Sequence, residues 1–168
     1  SALTITGGET EGATSFSCGS HSDAAGNNGA TDTTADSGSV TIDYTVPTIS
    51  SIAVTESGGS SVSSGGYGNT GTYSVVVTAS EALDAAPTLT VGGGSVGSGS
   101  ASNSDTVWTY TFTPTDADEA VTIDVAAGAI TDNAGNDNTA AATQFAFTHD
   151  ATTPTLSTIA MSTSGNTG

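Results

Sequence analysis

No lysine or arginine occurs anywhere in the chain, against 17 aspartates and glutamates, so the formal charge at neutral pH is −17. A protein without cations has nothing to set against a phosphate backbone, which excludes nucleic acid as a partner. Anionic lipid surfaces are disfavoured for the same reason, and metal cations are the natural counterpart of this surface. Cysteine is nearly absent too. Cys18 stands alone, so no intrachain disulfide can form and the composition is silent on redox compartment. Its alternation with Thr14 and Phe16 predicts a small core side chain. Nor is there a cationic segment followed by an apolar run, or an apolar stretch of the roughly 18 residues that a membrane-crossing helix needs. Membrane insertion is therefore not expected. The chain does not begin with Met and reads as a processed or excised piece, so a missing leader does not argue for the cytoplasm.

Catalytic constellations are missing as well. Cys18 has His21 three residues away, but strand alternation followed by a turn does not build a dyad. His149, beside Asp150, is expected to be an ordinary polar linker residue. No glycine-rich dinucleotide fingerprint, no His-Glu-x-x-His zinc motif and no lysine for a phosphate loop occurs. Paired carboxylates of the glycosidase kind are numerous, yet they fall in linkers and loops. The chain is not expected to be an enzyme.

What the chain does have is an internal repeat. Ser22-Asp-Ala-Ala-Gly-Asn-Asn28 returns as Thr131-Asp-Asn-Ala-Gly-Asn-Asp137, an offset of 109 (131 against 22). Thr45-Val-Pro-Thr-Ile-Ser-Ser-Ile-Ala-Val54 returns as Thr152-Thr-Pro-Thr-Leu-Ser-Thr-Ile-Ala-Met161, an offset of 107 (152 against 45). Two blocks returning at nearly one spacing govern the fold assignment. The 168 residues divide into the rear of one module (1–46), one full module (47–153) and the front strand of a third (154–168).

Within the full module the hydrophobic period is two, the mark of half-buried strands. Ile49 to Val54 makes a first strand, and Tyr73, Val75, Val77 and Ala79 line a second. Leu89 and Val91 mark a third. Trp108, Tyr110 and Phe112 alternate with Thr109, Thr111 and Thr113, while Val121, Ile123, Phe145 and Phe147 carry the pattern to the end. Stretches 57–71 and 92–104, rich in Gly and Ser, read as loops, and Val125–Ala129 allows at most one helical turn. Short strands, turn signals and about 100 residues per unit fit an all-β, immunoglobulin-like Greek-key sandwich. Its expected core includes Trp108, Tyr110, Phe112, Ile123, Phe145 and Phe147.

Three stretches carry a family resemblance: Tyr73-Ser-Val-Val-Val-Thr-Ala-Ser-Glu81, Trp108-Thr-Tyr-Thr-Phe-Thr-Pro114 and Ala127-Gly-Ala-Ile-Thr-Asp-Asn-Ala-Gly-Asn136. With Phe145 to Pro154 closing the unit, 47–154 resembles the bacterial immunoglobulin-like (Big-type) repeats strung together in large cell-surface and adhesin proteins. The resemblance implies an extracellular or cell-surface spacer or ligand-binding stalk, often stiffened by calcium. Residues 1–46 depart from the pattern, because Ile5 to Phe16 leaves little room for a strand of the Trp108 kind.

That topology gives the acids a geometry. The end where the chain enters the module carries Glu81, Asp84, Asp132, Asn136 and Asp137, and Asp43 of the preceding unit faces them. The far end carries Asp116, Asp118 and Glu119 with Asp150, facing the next unit. Like charges so gathered repel, and a bound cation converts repulsion into a rigid joint. Calcium, which takes six to eight oxygens, is the cation such groups suit, although 132–138 lacks the spacing of an EF-hand loop. A plain Asn/Gly turn explains the same stretch without metal.

The expected function is a structural repeat of an extracellular adhesin, stalk or filament. The expected partners are neighbouring modules or identical subunits, head to tail. One form of that assembly would donate 154–162 of one chain to the unpaired edge of 1–46 of the next. The alternative is a carbohydrate- or protein-binding module, for which Tyr67 is the best exposed aromatic candidate. An ice-binding face would rest on the outward threonine row alone.

Overall fold

The structure, a computed structural model, describes residues 10–15, 19–31 and 40–162. Cys18 and the strand expected at Leu3–Ile5 lie outside the described residues. Two short strands come first, β1 (Gly12–Thr14) and β2 (Val40–Ile42), and they form a two-stranded antiparallel ladder. Strand β3 (Ile49–Glu56) follows, and then β4 (Ser61–Val62) and β5 (Tyr67–Gly68) inside the stretch expected to be loop. After β6 (Tyr73–Ala79) and β7 (Thr90–Gly92), two more short strands, β8 (Gly94–Val96) and β9 (Ser100–Ser102), occupy the second expected loop. The long strands β10 (Val107–Pro114), β11 (Asp118–Asp124) and β12 (Phe145–Asp150) complete the set. Composition hid the four short strands: Gly and Ser are poor strand formers, and it is pairing with a long neighbour that makes these segments extended.

Strands β3 to β12 form two sheets. One runs in the order β4-β3-β6-β10-β8, with β9 also on β10; the other runs β5-β12-β11-β7. Consecutive strands β7 and β8 fall in different sheets, and so do β10 and β11 and, earlier, β4 and β5. This is the crossing pattern of an immunoglobulin-like sandwich. The bond between β5 and β12 is parallel, Thr148 against Tyr67 and His149 against Gly68, so the stretch following the first strand closes the side of the second sheet.

Inward alternation is realised as expected. Tyr73, Val75, Val77 and Ala79 are buried along β6, as are Trp108, Tyr110 and Phe112 along β10, while Thr109, Thr111 and Thr113 face water. Phe112, Val121, Ile123 and Val125 are fully enclosed, each side chain contributing roughly 1.5–3 kcal/mol. Strand β3 breaks the period once. A register shift between Ile49 and Ser51 lets Ile49, Ile52 and Val54 all oppose buried residues of β6, namely Ala79, Val77 and Val75. The three-residue step from Ile49 to Ile52 is the sequence trace of that bulge.

The core also contains a residue that the sequence reading assigned to a linker. His149 is buried on β12, with its Nδ1 2.7 Å from Tyr73 Oη and its ring edge-on to the Tyr73 ring. The alternation of Phe145 and Phe147 continues through His149, and Tyr73 supplies the polar partner that a buried imidazole requires. Tyr73, Phe112, Phe145 and Phe147 form the rest of this aromatic cluster, with neighbouring rings 5.0–6.3 Å apart. At the other flank Tyr110 Oη donates to the Pro87 carbonyl at 2.7 Å.

A left-handed turn precedes β10. Asn103, Ser104 and Asp105 all have φ between 52° and 60°, a costly run for residues other than glycine. It presents the Asp105 carbonyl to two donors at once, the Leu83 amide at 3.1 Å and Trp108 Nε1 at 3.0 Å. The Val125–Ala129 stretch makes a single turn, with the Ala129 amide donating to the Ala126 carbonyl. Residues 154–162, expected to be a strand, form none. Leu156, Ile159 and Met161 are exposed, because no neighbour of the β6 kind lies beside them among the described residues.

Candidate functional site: an acidic joint

Asp132 organises the loop after Ile130. Its Oδ1 accepts the Ala134 and Asn136 amides, both at 2.8 Å, and its Oδ2 accepts Asn136 Nδ2 at 2.9 Å. Gly135 turns the chain at φ 92°, and the Asp132 amide closes the loop on the Asn136 carbonyl at 3.1 Å. This is the self-capping chemistry of Asx turns. Burial alone would raise the Asp132 carboxyl, but the Asn136 amide and the N–H groups of Asn136, Ala134 and Gly135 outweigh it, and the carboxyl sits below its ordinary range.

The same loop touches the segment that leads into the sandwich. Asn136 Nδ2 donates to the Asp43 carbonyl at 3.2 Å. Carboxylate oxygens of Asp43, Glu81 and Asp132 lie within 4.8 Å of one another. Such a trio could coordinate a metal ion. An all-oxygen donor set suits a hard cation, and the electrostatics fit one: burial pushes the Glu81 carboxyl up, and the charges of Asp43, Asp132 and Glu11 push it further the same way.

Glu11 is the residue that sequence reasoning missed. Its Oε1 accepts the Tyr44 amide at 2.7 Å and the Thr45 hydroxyl at 3.0 Å, which fixes the segment carrying Asp43. A signal was available, since Glu11 stands 107 positions before Asp118. Asp84 and Asp137 are not brought into the trio. Both are exposed; Asp84 contributes its backbone N–H to the Thr131 carbonyl, and Asp137 Oδ1 accepts the Thr131 hydroxyl at 2.6 Å.

At the opposite end Asp118 and Asp150 are cross-strand partners. Thr152 ties them together: its hydroxyl donates to Asp118 Oδ2, and its amide reaches Asp118 Oδ1 at 3.3 Å and Asp150 Oδ1 at 3.2 Å. The Thr152 hydroxyl is the main reason the Asp118 carboxyl lies below its usual range. Asp116 stays on the β10–β11 loop, where its amide and that of Thr115 donate to Glu119 Oε1. Tyr67, 74% exposed, stands on β5 beside a shallow groove shared with Glu56, Asn69, Asp150 and Thr152.

The β1–β2 unit repeats these bonds. Gly12, Ala13 and Thr14 pair with Ile42, Thr41 and Val40, and at an offset of 107 Glu119, Ala120 and Val121 pair with His149, Thr148 and Phe147. Glu11 to Thr45 matches Asp118 to Thr152, and the Thr45 amide bonds Asp43 Oδ1 as Thr152 bonds Asp150. In the 22–28 loop Asp23 accepts the Ala25 and Asn27 amides and Asn27 Nδ2, as Asp132 does with Ala134 and Asn136.

Two sheets in this strand order, packed around an aromatic core, define an immunoglobulin-like module. The chain belongs to the bacterial Ig-like domain family, whose model matches residues 43–149. Domains of this family are structural, non-catalytic modules, typical of extracellular and cell-surface bacterial proteins. No curated protein matches the chain. Among the described residues no helix is long and apolar enough to cross a membrane.

Proposed function

We propose that this chain is a length of an extracellular stalk, adhesin or filament built of such modules in tandem, with 47–153 as a complete repeat and acidic joints stiffened by calcium. The observation that carries this reading is the linker contact: Asp43, fixed by the β1–β2 unit, meets Glu81 and Asp132 of the sandwich within 4.8 Å. Matching ladders on both sides of the linker support treating 1–46 as the rear of a preceding repeat. Asp43, Glu81 and Asp132 supply the carboxylates, and Asn136 holds the loop against the linker. Asp118 and Asp150 are the corresponding residues for the following joint, with Asp116 at its rim. A calcium ion at the joint neutralises charges that otherwise drive the two units apart.

Limited digestion of the full chain with a non-specific protease tests this. Calcium should slow cleavage in the 43–47 linker, and chelation should restore it. Equal rates in both conditions would remove calcium from the reading. Absence of the parent protein from the cell-surface and secreted fractions would remove the extracellular role.

A further inference from the structure

The chain enters the sandwich through β3, in the sheet that contains β6, and leaves it through β12, in the other sheet. Ile49 pairs with Ala79, next to the loop that carries Glu81, whereas Asp150 pairs with Asp118 at the opposite end. Tension along a tandem array therefore pulls β3 and β12 in opposite directions, each along its own axis. A ladder pulled along its strands loads all of its bonds together, because those bonds lie across the strands. Strand β3 is held in this way by β6, and β12 by β11.

Both ladders lie within sheets, so the load must also pass from one sheet to the other. Apolar contact across the core is non-directional and resists sliding poorly. Tyr73 and His149 supply a directional contact. Tyr73 stands on β6 opposite Glu56 of β3, and its Oη lies 2.7 Å from Nδ1 of His149 on β12. The two residues are 1% and 3% exposed, which keeps water from replacing the bond as it is stretched. On the far side of β12 the Gly65 amide donates to the Ala146 carbonyl at 2.7 Å and the Thr148 amide to the Gly66 carbonyl at 2.9 Å. That stretch, however, reaches β3 only through the two residues of β4.

We propose that the Tyr73–His149 hydrogen bond is a load-bearing tie, coupling the strand that receives tension at one end of the module to the strand that passes it on at the other. The tie gives the buried imidazole a use. A third phenylalanine after Phe145 and Phe147 would fill the same space with no polar group to satisfy, but it would leave β12 and β6 joined by apolar contact alone. The tie rests on the tandem structural reading, since only a module in series with others carries tension.

Single-molecule pulling of the full chain by its two ends at constant force tests this, with the event in 47–153 identified by the length of chain released. Forced unfolding reports the unfolding rate. Tyr73→Phe and His149→Phe should each unfold about fivefold faster than wild type, the weight of one hydrogen bond. The double variant should be no faster than either single one, because the same bond is lost in all three. Tyr110→Phe is the control. It deletes another buried 2.7 Å hydrogen bond, to the Pro87 carbonyl, which touches neither β3 nor β12. It should lower the thermal midpoint as Tyr73→Phe does, yet leave the rate under force unchanged. Wild-type rates in Tyr73→Phe and His149→Phe overturn the proposal, as do additive effects in the double variant. Equal acceleration by Tyr110→Phe also overturns it, since force would then read overall stability alone. Should one of the two tie variants not fold, the other decides. A tie that fails while calcium still protects the 43–47 linker from protease leaves the tandem reading intact; loss of both removes that reading.

Discussion

The side-chain amide of Asn136 donates to the backbone carbonyl of Asp43, 93 positions earlier in the chain, at 3.2 Å. The same amide holds Asp132 Oδ2 at 2.9 Å, so one side chain joins the loop, the carboxylate trio and the linker. Asn136→Ala should therefore act at two levels. The linker should become more accessible to protease, and stability should fall by about 1 kcal/mol for the lost hydrogen bonds. Asn136→Asp, which keeps the size but places a fourth negative charge beside the trio, should be worse than alanine when calcium is chelated. Thermal unfolding of the two variants, with and without chelator, measures this.

Asp132→Ala should be more damaging than its place in a loop suggests. Asp132 is only 2% exposed and accepts three N–H donors that no other group replaces. Leaving them unpaired should cost roughly 1–3 kcal/mol, against less than about 0.5 kcal/mol for Asp137→Ala at the exposed neighbouring site. Urea denaturation of both variants separates these values.

The acid and alkaline limits of stability follow from different groups. Asp132 and Asp118 have carboxyls below their ordinary range, so the stability they contribute is present above the usual carboxylate pKa. It is lost as the pH falls through their lowered values. Tyr110 is the opposite case. Burial pushes its hydroxyl up to about 12 from 10.0 in the unfolded chain. Its contribution is complete below pH 10 and is lost as the pH rises toward 12. Tyr110→Phe should flatten the alkaline limb of a stability–pH curve, at the expense of the hydrogen bond to the Pro87 carbonyl.

Truncation of Trp108 to alanine should destabilise the module by roughly 3–5 kcal/mol, because the side chain is 8% exposed and its indole N–H serves the Asp105 carbonyl. A denaturation midpoint nearly unchanged from wild type would remove Trp108 from the core.

Much of the sandwich was legible because a period of two reports burial directly. Thr109, Thr111 and Thr113 alternate with Trp108, Tyr110 and Phe112, and no other arrangement hides the rings. His149 was misjudged because its neighbours Asp150 and Thr152 are linker-like, while the residue that stabilises it, Tyr73, lies on a distant strand. The short strands β4, β5, β8 and β9 were illegible for a similar reason, since their extended shape comes from partners and not from propensity. Of the acidic residues, the sandwich topology put Glu81 and Asp132 at the entry end with Asp43 facing them, and the structure brings the carboxylates of these three together. Composition alone could not tell them from Asp84 and Asp137, because carboxylate direction depends on local turns. Glu11 went unnoticed because the repeat was traced through blocks of identity, whereas Glu11 and Asp118 match in chemistry only.

The most direct test of the joint is the midpoint of thermal unfolding as a function of calcium, read in the full chain and in Glu81→Gln. Calcium bound only to the folded state should raise the wild-type midpoint, by an amount equivalent to about 2.7 kcal/mol at a hundredfold excess over its dissociation constant. Extracellular modules respond at calcium concentrations of roughly 0.1–1 mM. Glu81 carries a raised carboxyl, so its ionised form opposes folding when no cation is present, and Glu81→Gln should melt higher than wild type in chelator and respond little to calcium. A wild-type midpoint that is the same in chelator and in millimolar calcium would contradict a cation-locked joint.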